Sequence, residues 1–295
     1  MPLLSQDHHA PLVHSVTGAG PPVVLVHAGI ADSTMWDEAV PALAARHTVL
    51  RYDLRGFGRS APPTAAYSDV EDLRRLLDHL GYERVHLVGA SWGGRIALDF
   101  ALTHPGRVRS LAAFAPPWPG WDWGAAMIAY DAAETAALAA GDLDAAVRVD
   151  LDMWLRGPER TDAEVDGRLL DRMRGPVRTA LVHQEAVERY AAGPGGGDPG
   201  ALTVPALIGV GTLDVPDFQD IAARYAREIP GARLVAFPGA GHLLTLEQPE
   251  SLTRALLPFL AEADGQGPGR GPRAPGAQRF GRGAEKLYGT GPAGS

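Results

Sequence analysis

The sequence predicts an α/β protein with a mostly parallel, doubly wound sheet. Short, continuous apolar runs bounded by Gly, Pro or Asp alternate along the chain with longer stretches of helical periodicity. Continuous apolar runs are typical of strands that are buried on both faces of a parallel sheet. Their alternation with helices indicates repeated βα units. One long segment breaks the alternation with helical patterns alone, which predicts a helical cap inserted between two strands.

Six runs are predicted to be buried parallel strands. They share a content of β-branched and aliphatic residues and lie at 22–27 (PVVLVH), 49–52, 85–88, 110–114, 206–210 and 233–237. A seventh run, at 12–16 (LVHSV), alternates polar and apolar residues, which is typical of a strand with one solvated face. We therefore expect it to be an antiparallel edge strand.

Helical patterns lie between these strands. The pattern at 68–80 begins with Ser68 as a predicted N-cap, places Glu71 at the spacing of a capping box, and is followed by Gly81 as a stop signal. Further helices of the core are predicted at 92–103, 218–229 and 252–260.

The predicted domain organisation has four parts. Residues 1–116 and 204–263 form the two halves of the core, and residues 117–203 form the helical cap, with helices expected at 125–140, 143–155 and 179–191. Residues 264–295 form a Gly- and Pro-rich tail with too few apolar residues for a core, and we expect it to be disordered.

Composition excludes several classes of function. The chain has 295 residues, a formal net charge of -8 and no cysteine, so disulfides, thiolate zinc sites and cysteine nucleophiles are ruled out. The folded part has no basic footprint for nucleic acid, and no apolar run approaches the length of a membrane span. Residues 1–10 lack the pattern of a signal peptide, so a cytoplasmic location is expected. We expect no metal and no cofactor.

The strongest motif is the G-x-S-x-G run from Gly89 to Gly93, with Ser91 at its centre. It lies directly after a predicted strand and directly before a predicted helix, which is the context that gives this motif its meaning. A turn this sharp strains the serine backbone and exposes its hydroxyl at the N-terminus of a helix, where negative charge is favoured. Ser91 is therefore the predicted nucleophile.

A serine hydroxyl needs a base, and the base needs an acid to orient it. His242 follows the predicted strand at 233–237 and a Gly-rich loop, while Asp214 follows the strand at 206–210. Both then lie at the carboxyl edge of the sheet, as Ser91 does, where chemistry in open α/β sheets gathers. Asp217 and, more weakly, Asp122 are the alternatives for the acid.

An oxyanion requires two backbone donors. The amide of Trp92, which follows the nucleophile, is one candidate, and the amide of Gly29 in the turn after the first parallel strand is the other, with Ile30 as the alternative. His27, just before this turn, is interpreted as a structural residue.

These motifs resemble those of the α/β-hydrolase superfamily. The resemblance covers the core and includes VVLVHAG at 23–29, VLRYDLRGFGRS at 49–60, LVGASWGG at 87–94, GTLD at 211–214 and GAGH at 239–242. Within the superfamily, the run from Met35 to Ser60 most resembles enol-lactonases and small carboxylesterases. The resemblance implies cofactor-free hydrolysis through an acyl-serine with Ser91, Asp214 and His242 as the triad. Ala28 replaces the more usual glycine after His27. Serine at position 91 disfavours the dehalogenase and epoxide hydrolase chemistries that use a carboxylate there.

The predicted function is hydrolysis of a carboxylic ester or lactone of small size. C–C bond hydrolysis, cofactor-free perhydrolysis and acyl transfer use the same triad and stay open, as does, with less support, a non-catalytic binding protein on this fold. The cap carries Trp118, Trp121, Trp123 and Trp154, which we expect to bind an apolar or aromatic substrate. The sequence gives no indication of oligomeric state.

Overall fold

The architecture was obtained as a computed structural model that describes residues 11–193, 195 and 197–265 of the chain. Seven strands form a single sheet in the order β1-β3-β2-β4-β5-β6-β7. The strands are β1 (His14–Thr17), β2 (Pro22–Val26), β3 (Thr48–Tyr52), β4 (Val85–Ala90), β5 (Val108–Phe114), β6 (Ala206–Gly211) and β7 (Arg233–Phe237).

All neighbouring strands are parallel except β1, which pairs antiparallel with β3. The predicted antiparallel edge strand and mostly parallel sheet are therefore confirmed. The expectation that all six parallel strands are buried on both faces is wrong for β7. Its first two residues, Arg233 and Leu234, are exposed, because β7 lies at the sheet edge with only β6 beside it.

Helices cover both faces of the sheet. Those of the core are α1 (Val40–Ala44), α2 (Asp69–His79), α3 (Trp92–Thr103), α7 (Pro216–Glu228), α8 (Leu244–Glu247) and α9 (Pro249–Ala263), where numbers α4 to α6 belong to the segment between β5 and β6. The predicted N-cap of α2 is present, since the Ser68 hydroxyl accepts a hydrogen bond from the Glu71 amide at 3.4 Å.

Alternate residues of β2 show how the two layers arise. Val23 and Leu25 pack into one apolar cluster with residues of α1 and α9, whereas Val24 and Val26 pack into a second cluster with residues of α2, α3 and α7. Successive side chains of a strand point to opposite faces, so an uninterrupted apolar run supplies both clusters at once. Packing on both faces of the sheet therefore fixes the carboxyl ends of the parallel strands.

The segment between β5 and β6 is helical, as the alternation pattern predicted. It contains α4 (Ala125–Ala139), α5 (Leu143–Leu151), which continues into a π-helical turn at Asp152–Arg156, and α6 (Gly167–Tyr190). The prediction for α6 was wrong in its start, which lies twelve residues earlier than expected. Pro176 lies inside α6, and burial of Met173 and Val177 around it offsets the lost backbone hydrogen bond.

The C-terminal boundary also differs from the prediction. Asp264, assigned above to the disordered tail, is part of the folded core: its carboxylate lies 3.1 Å from Nε2 of the buried His86 and 3.4 Å from Arg109. The remainder of the predicted tail, 266–295, lies outside the described residues, and the four-part division of the chain stays a prediction. Within 11–265, no helix is both long enough and apolar enough to cross a bilayer.

Candidate active site

Ser91 occupies a sharp turn between β4 and α3. Its backbone lies at φ 49° and ψ -119°, a left-handed conformation that non-glycine residues rarely adopt. A Cβ on Gly89 would lie 2.2 Å from the Gly93 carbonyl oxygen, and one on Gly93 would lie 2.3 Å from the Val26 carbonyl oxygen. Neither position therefore has room for a side chain, which is the steric reason for glycine on both sides of the serine.

The structure brings Ser91, His242 and Asp214 into one hydrogen-bonded chain. His242 Nε2 lies 2.9 Å from Ser91 Oγ, and His242 Nδ1 lies 3.0 Å from each carboxylate oxygen of Asp214. Asp214 is 1% exposed and His242 is 5% exposed, so the acid and the imidazole are shielded while the hydroxyl is partly open. Contact of Nδ1 with the carboxylate assigns the proton to Nδ1 and leaves Nε2 as an acceptor for the serine hydroxyl.

Two aromatic rings fix the imidazole of His242. The ring centroid of Phe218 on α7 lies 4.3 Å away, and that of Trp154 in the π-helical turn lies 4.6 Å away. Asp214 is held as well, because Oδ1 accepts from the Val215 amide at 2.7 Å. The imidazole thus has one orientation, facing both its partners.

The alternative acids do not reach His242. Asp217 Oδ1 accepts from the Gly124 amide at 2.8 Å and from Trp121 Nε1 at 3.1 Å, so it anchors the segment before α4 to α7. Asp122 is exposed. Of the three carboxylates considered from the sequence, Asp214 is the one beside the imidazole.

The candidate oxyanion donors face the same cavity as Ser91. Gly29, Ile30 and Trp92 all line it. The Gly29 amide makes no hydrogen bond to another described residue, and Trp92 is the first residue of α3, so its amide has no acceptor within the helix. A Cβ on Gly29 would lie 3.4 Å from the Trp92 Cβ, which places these two residues side by side.

The structure places one of the four cap tryptophans in the cavity beside Ser91. Trp154 lines the cavity, whereas Trp118, Trp121 and Trp123 do not. Trp118 stacks on Tyr225, with ring centroids 4.6 Å apart, and Trp123 packs on Phe218 at 5.5 Å. Together with the Trp121 contact to Asp217, these contacts show that the three side chains attach the start of the cap to α7.

The cavity above Ser91 has a volume of about 390 Å³ and is lined by two chemically different groups of side chains. The apolar group includes Phe57, Ala180, Leu181 and Val187. The polar group, here called the acidic wall, consists of Tyr130 and Glu134 of α4, Asp150 of α5, and Gln184 and Glu188 of α6. An entirely apolar or aromatic substrate would leave this wall without partners.

Sequence reasoning missed the acidic wall. Its members occur as i,i+4 pairs, Tyr130 with Glu134 and Gln184 with Glu188, a spacing that places both residues on one face of a helix. That pattern was available, but it also fits a solvated helix face. Only the packing of α4, α5 and α6 shows that these residues border the cavity, with Glu188 at an exposed position.

A hydrogen-bond network connects the acidic wall. Tyr130 Oη lies 2.7 Å from Glu134 Oε1 and 2.7 Å from Asp150 Oδ1. Burial, reinforced by the neighbouring Glu134, raises the pKa of the Asp150 carboxyl to about 8. Burial together with both carboxylates also raises the pKa of the Tyr130 phenol, so the phenol keeps its hydrogen.

The match to known proteins agrees with this geometry. Residues 21–249 match the family model for the α/β hydrolase fold. The chain belongs to the α/β-hydrolase family. That stretch contains every residue of the Ser91 cavity and both glycines of its turn.

Solved α/β hydrolases superpose over most of the chain. A hydrolase from Pseudomonas aeruginosa PA01 is 29% identical, with a TM-score of 0.68 over 84% of this chain and 94% of that one. A thermophilic esterase from Thermogutta terrifontis, solved with malate bound, is 26% identical, with a TM-score of 0.67 over 85% and 93%. The enol-lactonase from Burkholderia xenovorans LB400 is 24% identical, with a TM-score of 0.68 over 85% and 96%, a likeness of fold.

In this α/β hydrolase, His27 supports the turn that carries Gly29. Its Nδ1 lies 2.8 Å from the Ala28 carbonyl, and its Nε2 accepts from the Leu54 amide at 2.9 Å. The ring is therefore neutral with its proton on Nδ1, and complete burial lowers its pKa accordingly. Asp53 holds the adjoining loop by accepting from the Ser33 and Arg59 amides at 2.9 and 3.0 Å.

Proposed function

We propose that this α/β hydrolase cleaves carboxylic esters or lactones through an acyl-serine intermediate. The observation that carries the proposal is the chain of contacts from Ser91 Oγ to His242 Nε2 and from His242 Nδ1 to Asp214. A serine held 2.9 Å from a histidine that is itself oriented by a buried carboxylate is arranged for nucleophilic acyl transfer. A thermophilic esterase among the structural relatives, 26% identical to this chain, supports the same class of substrate.

In the first half-reaction, Ser91 Oγ attacks the carbonyl carbon while His242 Nε2 takes the hydroxyl proton. The imidazolium that forms is stabilised by the Asp214 carboxylate, which stays ionised. The tetrahedral oxyanion lies against the amides of Trp92 and Gly29, and the dipole of α3 favours its charge. Collapse breaks the bond to the alkoxide leaving group, which takes the proton from His242 and departs as an alcohol.

The second half-reaction repeats these steps with water. His242 Nε2 removes a proton from the water, whose oxygen attacks the acyl carbon and forms a second oxyanion at the same amides. Collapse breaks the bond to Ser91 Oγ, which recovers its proton from His242. The net reaction is ester and water to acid and alcohol, and for a lactone both products remain in one hydroxy acid.

Labelling with a fluorophosphonate tests the nucleophile. Intact-protein mass spectrometry is expected to find one adduct on wild type, none on Ser91→Ala, and one on Ser251→Ala, a control serine on α9. An activated serine reacts because its hydroxyl can lose its proton to His242. Absence of an adduct on folded wild-type protein would contradict the proposal.

Two matched carboxylate variants test the acid. Asp214→Asn is expected to reduce kcat/KM for 4-nitrophenyl acetate about ten-thousandfold, because the amide favours the wrong tautomer of His242. Asp217→Asn, three residues away and bonded instead to Trp121 and Gly124, should remain within a few-fold of wild type. Equal losses in the two variants would refute the assignment of Asp214.

A further inference from the structure

The acidic wall has a charge that the proposed hydrolysis does not use. It presents the carboxyl groups of Glu134, Asp150 and Glu188 to the cavity that contains Ser91. Among the described residues that line this cavity, none is a lysine or an arginine. The carboxyls therefore face the substrate space without a basic partner on its walls.

At Tyr130, a single hydroxyl donor faces two carboxylate acceptors. The Tyr130 phenol has one hydrogen, yet its oxygen lies 2.7 Å from a carboxylate oxygen of Glu134 and 2.7 Å from one of Asp150. Two ionised carboxylates cannot share that single hydrogen, so one carboxyl carries a proton and donates it to the phenol oxygen. Asp150, which is 1% exposed, is the better-buried carboxyl and holds this proton.

Gln184 adds a further hydrogen-bond acceptor without a donor. Its Nε2 donates to Glu188 at 2.8 Å and, at 3.5 Å, to Glu134. These contacts fix the orientation of the amide, which leaves Oε1 as a buried acceptor that no described residue donates to. Donor-poor walls of this kind match a ligand group that brings several N–H bonds and a positive charge.

We propose that the acidic wall binds a protonated amine on the ester or lactone substrate and so selects cationic substrates. This inference rests on the proposed function, because it treats the wall and Ser91 as parts of one substrate site. An ammonium group supplies three N–H donors and takes the place of the proton that Asp150 donates to the Tyr130 oxygen. The aromatic faces of Tyr130 and Trp154 add favourable contact for a cation.

Trp154 sets where the amine lies relative to the reacting carbonyl. Its ring centroid is 4.6 Å from that of His242 and 5.1 Å from that of Tyr130. The amine is thus separated from the scissile bond by the width of about one indole ring, which corresponds to a flexible chain of several methylene groups. The apolar group of lining side chains, with Leu181 and Val187, accommodates that chain.

Matched pairs of esters test this selectivity. The first pair is 4-nitrophenyl 6-aminohexanoate and 4-nitrophenyl heptanoate, and the second is 4-aminobutyl benzoate and pentyl benzoate, so the ammonium replaces a methyl group on the acyl or on the alcohol side. In wild type, kcat/KM is expected to be at least tenfold higher for the amine of one pair. Equal or lower values for the amine in both pairs would overturn the proposal.

Variants of the wall identify the residues responsible. Glu134→Gln is expected to bring the amine-to-alkyl ratio of kcat/KM, measured within the same variant, close to one. Glu185→Gln is the control, because Glu185 lies on α6 but does not line the cavity. An unchanged ratio in Glu134→Gln, or an equal fall in Glu185→Gln, would contradict the role of the wall.

A binding measurement separates this inference from the proposed function. Titration calorimetry of Ser91→Ala with the two benzoates requires no turnover, and the amine is expected to bind at least tenfold more tightly than the pentyl ester. A 4-(trimethylammonio)butyl ester, which has the charge but no N–H donor, should bind more weakly than the primary amine. Equal binding of amine and pentyl ester would refute the inference even if Ser91 is the nucleophile. Preferential amine binding without any serine labelling of wild type would instead refute the proposed function.

Discussion

At the scale of single residues, Asp150 couples the cavity to pH. Burial raises the pKa of its carboxyl to about 8, whereas an aspartate in the unfolded chain titrates near 4. Between these values the folded state binds a proton that the unfolded state has lost, so the free energy of unfolding falls as pH rises. This contribution is complete below the unfolded pKa and is lost as pH rises through about 8.

Asp150→Asn removes this dependence and keeps the shape of the side chain. From pH 6.5 to 8, we expect wild type to lose about 1.5 kcal/mol more unfolding free energy than Asp150→Asn, since one pKa unit corresponds to about 1.4 kcal/mol. Urea unfolding at both pH values measures the difference. The interval from pH 6.5 to 8 lies at or above the ordinary pKa of histidine. The buried His27 and His86 therefore contribute little to the change in unfolding free energy over this interval.

Asp69 provides a comparison for this experiment. Burial raises the pKa of its carboxyl to about 7, against a hydrogen bond from Trp92 that lowers it. Its contribution falls with rising pH in the same direction and is common to wild type and Asp150→Asn. Parallel curves for the two proteins would show that Asp150 is ionised throughout and would also remove the proton assigned to the acidic wall.

Individual residues could be predicted from sequence where local order determines their place. Ser91, Asp214 and His242 each follow a strand of the sheet, so their common edge follows from the topology. Glu134 and Asp150 lie on different helices with no such rule, and their meeting depends on how α4 packs on α5. Trp118 and Trp123 were misassigned for the same reason, because an aromatic side chain indicates burial but not the surface it packs against.

At the scale of elements, the turn between β4 and α3 tolerates no added atom at Gly93. A Cβ there would lie 2.3 Å from a carbonyl oxygen of β2, and backbone on both sides prevents relief. We expect Gly93→Ala to lose more than about 3 kcal/mol of unfolding free energy, at or beyond the upper end of ordinary overpacking. Urea denaturation measures the loss, or the variant fails to accumulate as folded protein.

Gly106→Ala is the matched control for that substitution. A Cβ at Gly106, in the short turn before β5, meets no atom within 4 Å. Its unfolding free energy should lie within about 1 kcal/mol of wild type, in the range of unconstrained glycine replacements. Similar stabilities for the two alanine variants would show that the Ser91 turn can relax.

Element types were predictable from periodicity, and element ends were less so. The bounds of α3 match the prediction because Pro105 and the Ser91 turn mark both of its ends in the sequence. The start of α6 was missed, since the Gly175-Pro176 pair is ordinarily a stop signal and tertiary burial overrides it here. Similarly, the composition of β7 is that of a buried strand, and only its place at the end of the strand order shows that it is an edge strand.

At the scale of the whole molecule, Asp264 links the C-terminal end of α9, the last described helix, to strand β4 of the sheet. Its carboxylate is 6% exposed and accepts from His86 on β4, so its loss leaves a buried imidazole nitrogen without a partner. We expect Asp264→Ala to cost about 2 kcal/mol of unfolding free energy, the size of a buried hydrogen bond to a charged group. Thermal and urea unfolding of the full chain measure it.

Glu262→Ala tests whether burial is the reason. Glu262 forms an ion pair with Arg233, and both side chains are substantially exposed, so its removal should change stability by less than about 1 kcal/mol. If Glu262→Ala and Asp264→Ala lose equal unfolding free energy, the loss would reflect removal of any acidic side chain near the end of α9, and burial would not be the reason. The mostly parallel sheet with helices packed on it followed from the sequence, whereas the order of the strands and this closing contact between residues far apart in the chain did not.

The residues that line the cavity come from two separate stretches of the chain, which affects how substrate preference is inherited. The hydrolytic groups come from the sheet edge, while all five members of the acidic wall come from the single insertion between β5 and β6. Recombination between related genes at the codons for the end of β5 and the start of β6 would exchange the preference for charge in one event. The recipient would keep its own catalytic residues. Exchange of this one inserted segment would therefore change substrate preference with no substitution at the nucleophile.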